Sequence, residues 1–343
     1  MAQKNVLVLG ATGAMGQYLV PILAEKGFHV DAVSMDTATA EIKNVTWIKG
    51  NAKDFEYRKE LLQRCHYDGI VDFMIYTTAE LPSFLPGIVS VTDHYIYLST
   101  YRIYDGIEVP VKETSPRLID SSTDPLLINS DDYCIFKARG ENIMREFFPA
   151  KNWSIIRPAI TYSRLRNQLV TLEAPCTVGR ALMKKAVLLP ETAKDIQGTM
   201  SWAGDVAQMI AGILFNEKAL GETYTVATSE HHTWGEIAEY YEDICGLKAI
   251  WVPQEDFLSC AVNGFKDFPH TGSWQLKYDR LFNRVMDNSK ILELTGMKQE
   301  NLMKLYDGLK YEISRCPKDY GTLVADFPAN IAMDNYLKER GLA

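Results

Sequence analysis

Three glycines that directly follow the first predicted strand constrain the fold of this chain most strongly. The apolar segment Asn5–Leu9 predicts a strand, and residues 15–25 have the spacing of a helix. Glycines at such a junction allow a tight turn, so that the N–H groups at the helix start can bind a pyrophosphate. The loop therefore predicts a dinucleotide site made by Gly10, Thr12, Gly13, Ala14, Met15 and Gly16.

Strand and helix patterns alternate through the N-terminal half. Strands are predicted at residues 28–33, 45–49, 69–76, 95–99 and 153–157, and helices at residues 55–65 and 131–148. This alternation predicts an α/β fold with a Rossmann-type, doubly wound parallel sheet. We expect a dinucleotide-binding domain over residues 1–160, to which part of 200–230 returns. Residues 161–343 are expected to form mainly a smaller mixed α/β substrate domain with a C-terminal helical tail.

Composition and charge exclude several classes of protein. The chain of 343 residues has 36 basic and 44 acidic residues, a formal net charge of −8, which argues against nucleic acid as the main partner. Its six cysteines are scattered without a close pair, so we predict no metal site and free thiols. No signal peptide and no stretch long enough to span a bilayer are visible, so we expect a cytoplasmic protein without a membrane partner.

The end of the second strand bears on the choice between NAD and NADP. A carboxylate there binds the ribose hydroxyls of NAD, whereas an arginine binds the 2′-phosphate of NADP. The segment after Val33 contains Ser34 and Asp36, and no basic residue precedes Lys43. This pattern favours NAD and leaves NADP open. Ser34 is therefore a further predicted cofactor contact.

A tyrosine and a lysine on one helix face provide candidate catalytic groups. Tyr133 and Lys137 are four residues apart, so their side chains share a face. An ammonium group beside a phenol lowers the phenol pKa, which would suit proton exchange during alcohol–ketone interconversion. Hydroxyl groups to hold the substrate oxygen are expected at a strand end, where Ser99 and Thr100 lie. A second Tyr-x-x-x-Lys pair, at residues 306 and 310, lies outside this pattern and is expected to have no role.

Several further motifs carry a resemblance to a known family. They are the segments 98–106 (LSTYRIYDG), 156–162 (IRPAITY), 202–207 (WAGDVA) and 221–226 (GETYTV). With the glycine loop and the Tyr133/Lys137 pair, the chain resembles the NAD-dependent epimerase/dehydratase family of extended short-chain dehydrogenases/reductases. The resemblance implies that Tyr133 exchanges the proton, Thr100 holds the substrate oxygen and Lys137 binds the nicotinamide ribose. It also implies cofactor contacts at Asn51 and Tyr76. It also implies a nucleotide-linked sugar as substrate, and a homodimer.

Two departures from the family pattern affect the expected chemistry. Where the 4,6-dehydratases of the family have an Asp-Glu pair, this chain has Tyr101 and Arg102, so water elimination by that route is not expected. The connection from residue 76 to residue 95 is short and contains Pro82 and Pro86. Its length resembles a divergent branch that includes chloroplast stem-loop-binding proteins, some of which bind RNA.

Three functions therefore remain open. The first is an epimerase or reductase of a nucleotide-linked sugar, with substrate contacts predicted at Ser99, Arg102, Arg280 and Arg284. In that reading the last two arginines hold a substrate diphosphate. The second is an RNA-binding or regulatory protein built on a dinucleotide fold. The third is a reductase of a small hydrophobic ketone, suggested by the tyrosines at residues 95, 97, 101 and 104.

Overall fold

A seven-stranded parallel sheet forms the centre of the protein, in a computed structural model that describes residues 3–37, 40–261 and 271–342. Its strands are β1 (Asn5–Leu9), β2 (His29–Ser34), β3 (Val45–Lys49), β4 (Tyr67–Asp72), β5 (Thr92–Leu98), β6 (Trp153–Pro158) and β11 (Thr223–Val226). Their order across the sheet is β11-β6-β5-β4-β1-β2-β3. Every pairing in this sheet is parallel, which confirms the predicted Rossmann-type fold class.

Both faces of the sheet are buried, as the unbroken apolar strands predict. In β1, Val6 and Val8 belong to one core cluster, whereas Leu7 and Leu9 belong to the cluster on the other face. Side chains alternate between faces along a strand, so a strand covered on both sides has apolar residues at consecutive positions. Helices cover each face and leave the strand ends as the accessible edges.

The described residues contain fifteen α-helices, and the three predicted at residues 15–25, 55–65 and 131–148 are among them with changed ends. They are α1 (Gly16–Glu25), α2 (Phe55–Leu62), α3 (Leu81–Val89), α4 (Leu118–Ser121), α5 (Pro125–Ile128), α6 (Tyr133–Phe147), α7 (Val178–Leu182), α8 (Ala203–Ile213), α9 (Trp234–Cys245), α10 (Gln254–Ala261), α11 (Thr271–Gln275), α12 (Ser289–Thr295), α13 (Leu305–Ser314), α14 (Tyr320–Leu323) and α15 (Pro328–Glu339). Helix α6 begins at Tyr133 because the side chain of Asp132 accepts a hydrogen bond from the backbone N–H of Cys134 at 3.0 Å. This cap places the candidate tyrosine in the first turn.

The short connection between β4 and β5 still contains a helix, α3. Pro82 lies in its first turn, where a missing N–H costs no hydrogen bond, and Pro86 lies further inside. The apolar side chains of Leu81, Leu85 and Ile88 are buried against the sheet. Burial of this face therefore stabilises a helix that the interior Pro86 weakens.

Short strands and the helices that follow β6 form the C-terminal part. Three two-stranded sheets pair β7 (Ile160–Tyr162) with β10 (Met200–Trp202), β8 (Val187–Pro190) with β13 (Ala249–Val252), and β9 (Gln197–Gly198) with β12 (His232–Thr233). Helix α8 packs on α1, and β11 pairs with β6 at the edge of the central sheet. In the described residues, no helix combines the length and apolar character needed to cross a membrane.

Candidate active site

A cavity of about 500 Å³ opens at the carboxyl ends of the central strands. Its walls come from the loops that follow β1 to β5, from residues 158–161 at the end of β6, and from the C-terminal residues Gln275 and Arg280. Ligands of open parallel sheets bind at this edge, where the strand order reverses. The cavity therefore lies where the sequence predicts the dinucleotide.

The glycine loop closes tightly over the end of β1. The backbone N–H groups of Gly10 and Ala11 both donate to the carbonyl oxygen of Val33 at 3.0 Å. Gly10 has a φ of +82°, a conformation that favours glycine. At Gly16 a Cβ atom would lie 2.6 Å from the carbonyl oxygens of Gly10 and Ala11, so no side chain fits there. The loop thus presents bare backbone to the cavity at the start of α1.

Hydroxyl and carboxylate groups line the cavity at the end of β2. The Thr12 and Ser34 hydroxyl oxygens are 2.6 Å apart, and the Thr12 hydroxyl donates to Asp36 at 2.8 Å. The arginines among the described lining residues, Arg102, Arg166 and Arg280, follow β5 or come from the C-terminal part. A carboxylate at this end favours a ribose diol and disfavours a 2′-phosphate.

Of the predicted cofactor residues, Asn51, Tyr76 and Lys137 lie off the cavity wall. The Tyr76 phenol is buried between Asp72, to which it donates at 2.7 Å, and the Arg58 guanidinium. Strand β4 ends at Asp72 rather than at residue 76, so residues 73–75 line the cavity instead. The Asn51 side chain is exposed and accepts from the N–H of Lys53, while its neighbours Gly50 and Ala52 face the cavity.

Tyr133 and Lys137 share one face of α6 but occupy different positions. Tyr133 lines the cavity, whereas Lys137 is 1% exposed and lies behind the wall. The Lys137 ammonium donates to the carbonyl oxygen of Leu98 at 2.7 Å and is 5.7 Å from the Tyr133 ring centroid. The lysine thus ties α6 to the end of β5 while its charge remains near the phenol.

Burial controls the pKa values of this pair. It raises the pKa of the Tyr133 phenol, against the opposing effects of Arg166, Arg102 and the nearby Thr100 hydroxyl. The expected lowering by Lys137 is therefore not what the structure shows, because burial outweighs the charges that face the phenol. Burial also lowers the pKa of Lys137 to about 8, opposed by Asp72.

Of the two hydroxyl residues at the end of β5, only Thr100 reaches the cavity. Its side-chain oxygen accepts from the Arg102 N–H at 3.2 Å and so begins a short helical turn. Ser99 is completely buried behind it. The described geometry thus brings Thr100, Tyr133 and the glycine loop to one cavity.

The predicted arginines are separated by the structure. Arg102 and Arg280 line the cavity, but Arg284 is 2% exposed and donates to Asp279 and to the Tyr104 carbonyl oxygen. Arg284 therefore holds the backbone and a buried carboxylate rather than facing the cavity. The spacing of residues in the sequence does not predict that Arg284 lies in a turn next to Asp279.

Sequence reasoning missed several residues of the far wall. They are Thr161, Arg166, Gln168, Glu173 and Gln275, with Asp279 buried behind them. The two arginines at residues 164 and 166, directly after the IRPAITY segment, were the available signal for Arg166. Apart from Thr161, which lies within that segment, the other far-wall residues belong to no sequence motif, so nothing in the sequence indicates that they lie near the glycine loop.

A cluster of metal-ligand types lies at the opposite edge of the sheet. His66, Asp68 and Asp93 approach one another at the amino ends of β4 and β5, with ligand atoms within 4.8 Å. The His66 and Asp93 side chains are 60% and 65% exposed, so ordinary surface ion pairing accounts for the cluster. The sequence pattern did not indicate this grouping because the residues come from two strands.

Comparison with known proteins agrees with this geometry. The NmrA-like family model matches residues 2–79, which contain the glycine loop. The chloroplast stem-loop binding protein of 41 kDa b from Arabidopsis thaliana is 21% identical over 252 residues. That match covers 69% of this chain but 62% of the relative, less than two thirds of its length.

Solved structures resemble nearly the whole chain. An epimerase from Methanothermobacter thermautotrophicus has a TM-score of 0.71 at 15% identity, covering 94% of each chain. The UDP-glucose 4-epimerase of Thermus thermophilus, solved with NAD, has a TM-score of 0.65 at 17% identity, covering 90% of this chain and 98% of that one. The chain therefore has the Rossmann-type fold of the NAD-dependent epimerases and dehydratases.

Proposed function

We propose that the protein is an NAD-dependent oxidoreductase or epimerase that acts at a hydroxyl or ketone carbon of a nucleotide-linked sugar. The single observation that carries the proposal is the placement of Thr100 and Tyr133 on the wall of the cavity that the glycine loop also lines. A bound nicotinamide supplies hydride transfer to or from carbon. The chain must then bind the dinucleotide, hold the substrate oxygen and move one proton.

The residues at the dinucleotide end fit NAD. The bare backbone at Gly16 admits a pyrophosphate at the start of α1, where N–H groups favour anions. Asp36, held by the Thr12 hydroxyl, suits a ribose diol. The NAD-bound epimerase that shares this fold supports the same assignment.

Proton exchange falls to Tyr133, with Thr100 holding the substrate oxygen. Because burial raises the pKa of Tyr133 and keeps the phenol protonated, the phenol can give its proton to the substrate oxygen as a hydride reaches the ketone carbon. Oxidation of a hydroxyl is the reverse step, in which the phenolate takes the proton back. Arg166 and Arg102 favour the phenolate electrostatically. Lys137 is assigned to positioning the end of β5 through Leu98, because its side chain lies behind the cavity wall.

The nucleotide-sugar assignment draws on the neighbours and on the polarity of the far wall. Arg166, Gln168 and Arg280 face the cavity there and suit an anionic, hydroxyl-rich substrate. A hydrophobic ketone is less well matched, because Tyr95 and Tyr97 are buried in the core beside β4 and α6. A homodimer remains a prediction from the family resemblance.

Nucleic-acid binding is the second candidate, favoured by the match to a stem-loop binding protein. The net charge of −8 counts against it. The first experiment separates the two: denature the purified protein, identify any released dinucleotide by mass spectrometry, and titrate the stripped protein with NAD and NADP. Retained NAD supports an epimerase that recycles its cofactor, and reversible binding supports a dehydrogenase or reductase. Absence of binding to either would reject the proposal and favour the second candidate.

Replacing Tyr133 by phenylalanine tests the assigned proton transfer. Tyr133→Phe keeps the ring but removes the hydroxyl, so turnover should fall by about 100- to 10,000-fold while the NAD dissociation constant changes less than about twofold. Steady-state kinetics and NAD titration measure the two effects. The control is Tyr306→Phe, whose phenol donates to Asp243 outside the cavity and whose loss should leave turnover unchanged. Wild-type turnover in Tyr133→Phe would refute the mechanism.

A further inference from the structure

Arg102 is a buried arginine whose hydrogen-bonding groups are unfilled. The residue is 9% exposed, and the ion pairs of its guanidinium within the described part of the chain are long, at 3.5 and 3.6 Å. Its Nε atom is buried and without a partner. A buried donor without an acceptor costs free energy, and a guanidinium has five N–H donors in a planar fork. Such an arrangement is expected where a ligand provides the acceptors.

The nearest carboxylates balance the charge of Arg102 without filling its donors. Asp132 and Asp279 lie 3.5 and 3.6 Å from the guanidinium nitrogens, beyond good hydrogen-bond distance. Asp279 instead accepts from the Tyr101 hydroxyl at 3.0 Å and from Arg284 Nε at 3.1 Å, and it also pairs with the Arg280 guanidinium.

Asp132 is similarly engaged, because it caps α6 through the Cys134 N–H. Three arginines thus surround Asp279, and two of them bond it directly. The third, Arg102, keeps its donors available.

The position of Arg102 relates any bound group to the reacting carbon. It follows Thr100 by two residues, lines the cavity, and its guanidinium carbon is 5.3 Å from the centroid of the Tyr133 ring. A group held by Arg102 therefore belongs to the part of the substrate that reacts between Thr100 and Tyr133. A diphosphate that links a sugar to its nucleotide lies further along the molecule than such a group.

We propose that Arg102 binds a carboxylate on the reacting part of the substrate, so that the site selects an acidic sugar over its neutral counterpart. This inference rests on the proposed function. A carboxylate matches the planar guanidinium through two parallel hydrogen bonds, whereas a neutral hydroxymethyl group offers one weaker acceptor. A charge-assisted bidentate contact corresponds to a preference of about 10- to 100-fold.

Two matched substrate pairs test the selectivity: UDP-glucuronate with UDP-glucose, and glucuronate with glucose. Affinity for each is measured by calorimetry with the NAD-loaded protein. In at least one pair the acid should bind about 10- to 100-fold more tightly. Equal affinities within both pairs, or no binding of any of the four, would overturn the carboxylate assignment. NAD binding and the turnover of Tyr133→Phe are measured separately. A failure of the carboxylate assignment can therefore be told apart from a failure of the proposed function.

Substitution at Arg102 assigns the preference to this side chain. Arg102→Gln should reduce the acid-over-neutral ratio to about 1, and Arg102→Lys should retain part of it, because the charge remains but the fork is lost. The matched control is Arg166→Gln, another arginine of the same cavity, which should weaken acid and neutral ligands alike and leave the ratio unchanged. A ratio unaltered in a folded Arg102→Gln protein, judged by its thermal transition and NAD affinity, would refute the role.

Discussion

At the scale of single residues, burial rather than charge pairing decides the properties of the site. Lys137 and Tyr133 both have pKa values shifted toward their neutral forms, and burial is the largest cause for each. Yet each has a charged group that opposes the shift: Asp72 for the lysine, and Arg166 for the tyrosine. These shifts make the protonation of the site depend on how completely water is excluded.

Stability should depend on pH through Lys137. Its folded-state pKa is about 8, below the usual value of 10.5, so between these values the unfolded chain binds more protons. Below pH 8 the lysine is protonated in both states, and the cost of burying its ammonium lowers the free energy of unfolding. As pH rises from 8 toward 10.5, the folded protein contains the neutral amine, and the protein becomes more stable. We expect wild-type stability relative to Lys137→Met to increase by about 2 kcal/mol from pH 7 to pH 9.5. Urea unfolding of both proteins measures it; a difference independent of pH would contradict the shift.

The positions of residues were predictable where a sequence motif fixes them, and not where only the tertiary fold does. The positions of Thr100, Tyr133 and Lys137 follow from a strand end and a helix spacing. Tyr76 was misplaced because its strand ends four residues earlier, a boundary that apolar periodicity does not define. Arg166 and Asp279 reach the site through tertiary packing of the C-terminal part, for which the sequence has no comparable pattern.

At the scale of elements, the junction of β1 with α1 is the most constrained connection. It depends on an absent side chain, since a Cβ on Gly16 would lie 2.6 Å from two carbonyl oxygens. The type and order of the central elements followed from their apolar patterns, and their ends shifted by a few residues. Helix α3 was harder to predict, because two prolines conceal a buried apolar face.

Glycine-to-alanine substitutions should have different effects on NAD affinity and stability at this junction and at an ordinary helix position. Gly16→Ala forces the loop to move, so we expect the NAD dissociation constant to rise at least about tenfold and the protein to be destabilised. The control is Gly87→Ala in α3, where a Cβ meets nothing within 4 Å, and stability should be unchanged or increase by about 0.5–1 kcal/mol. NAD titration and thermal unfolding measure both. Unaltered NAD affinity in Gly16→Ala would contradict the close approach.

At the scale of the whole molecule, one buried carboxylate joins the two ends of the chain. Glu312 of α13 is completely buried and accepts from the Trp202 indole N–H at 2.7 Å and from the Tyr18 hydroxyl. Arg315 donates to both Glu312 and Tyr18. Because Tyr18 lies on α1, the C-terminal helices support the helix that begins at the dinucleotide loop. The sequence predicts helical segments in this C-terminal stretch but does not predict that they contact α1.

Removing this carboxylate should destabilise the protein globally. Glu312→Ala leaves the Trp202 N–H, the Tyr18 hydroxyl and the Arg315 charge without their acceptor, which should lower the free energy of unfolding by about 3 kcal/mol. Glu312→Gln retains one acceptor and should cost less. The exposed Glu300→Ala is the matched control and should change stability by less than about 0.5 kcal/mol. Denaturant unfolding measures all three; equal stability of Glu312→Ala and Glu300→Ala would show that the contact contributes nothing.

The part of the cavity wall made by Gln275 and Arg280 also sets an order of assembly during synthesis. The central sheet is complete once β11 has emerged from the ribosome, and by then the glycine loop, Thr100 and Tyr133 are all present. Arg280, together with the Asp279 that orders Tyr101, arrives more than fifty residues later. Because domains fold from the N-terminus as they emerge, a nascent chain can form the glycine-loop side of the cavity before the cavity wall is complete. The cavity is closed only when the segment that contains Gln275 and Arg280 has been added.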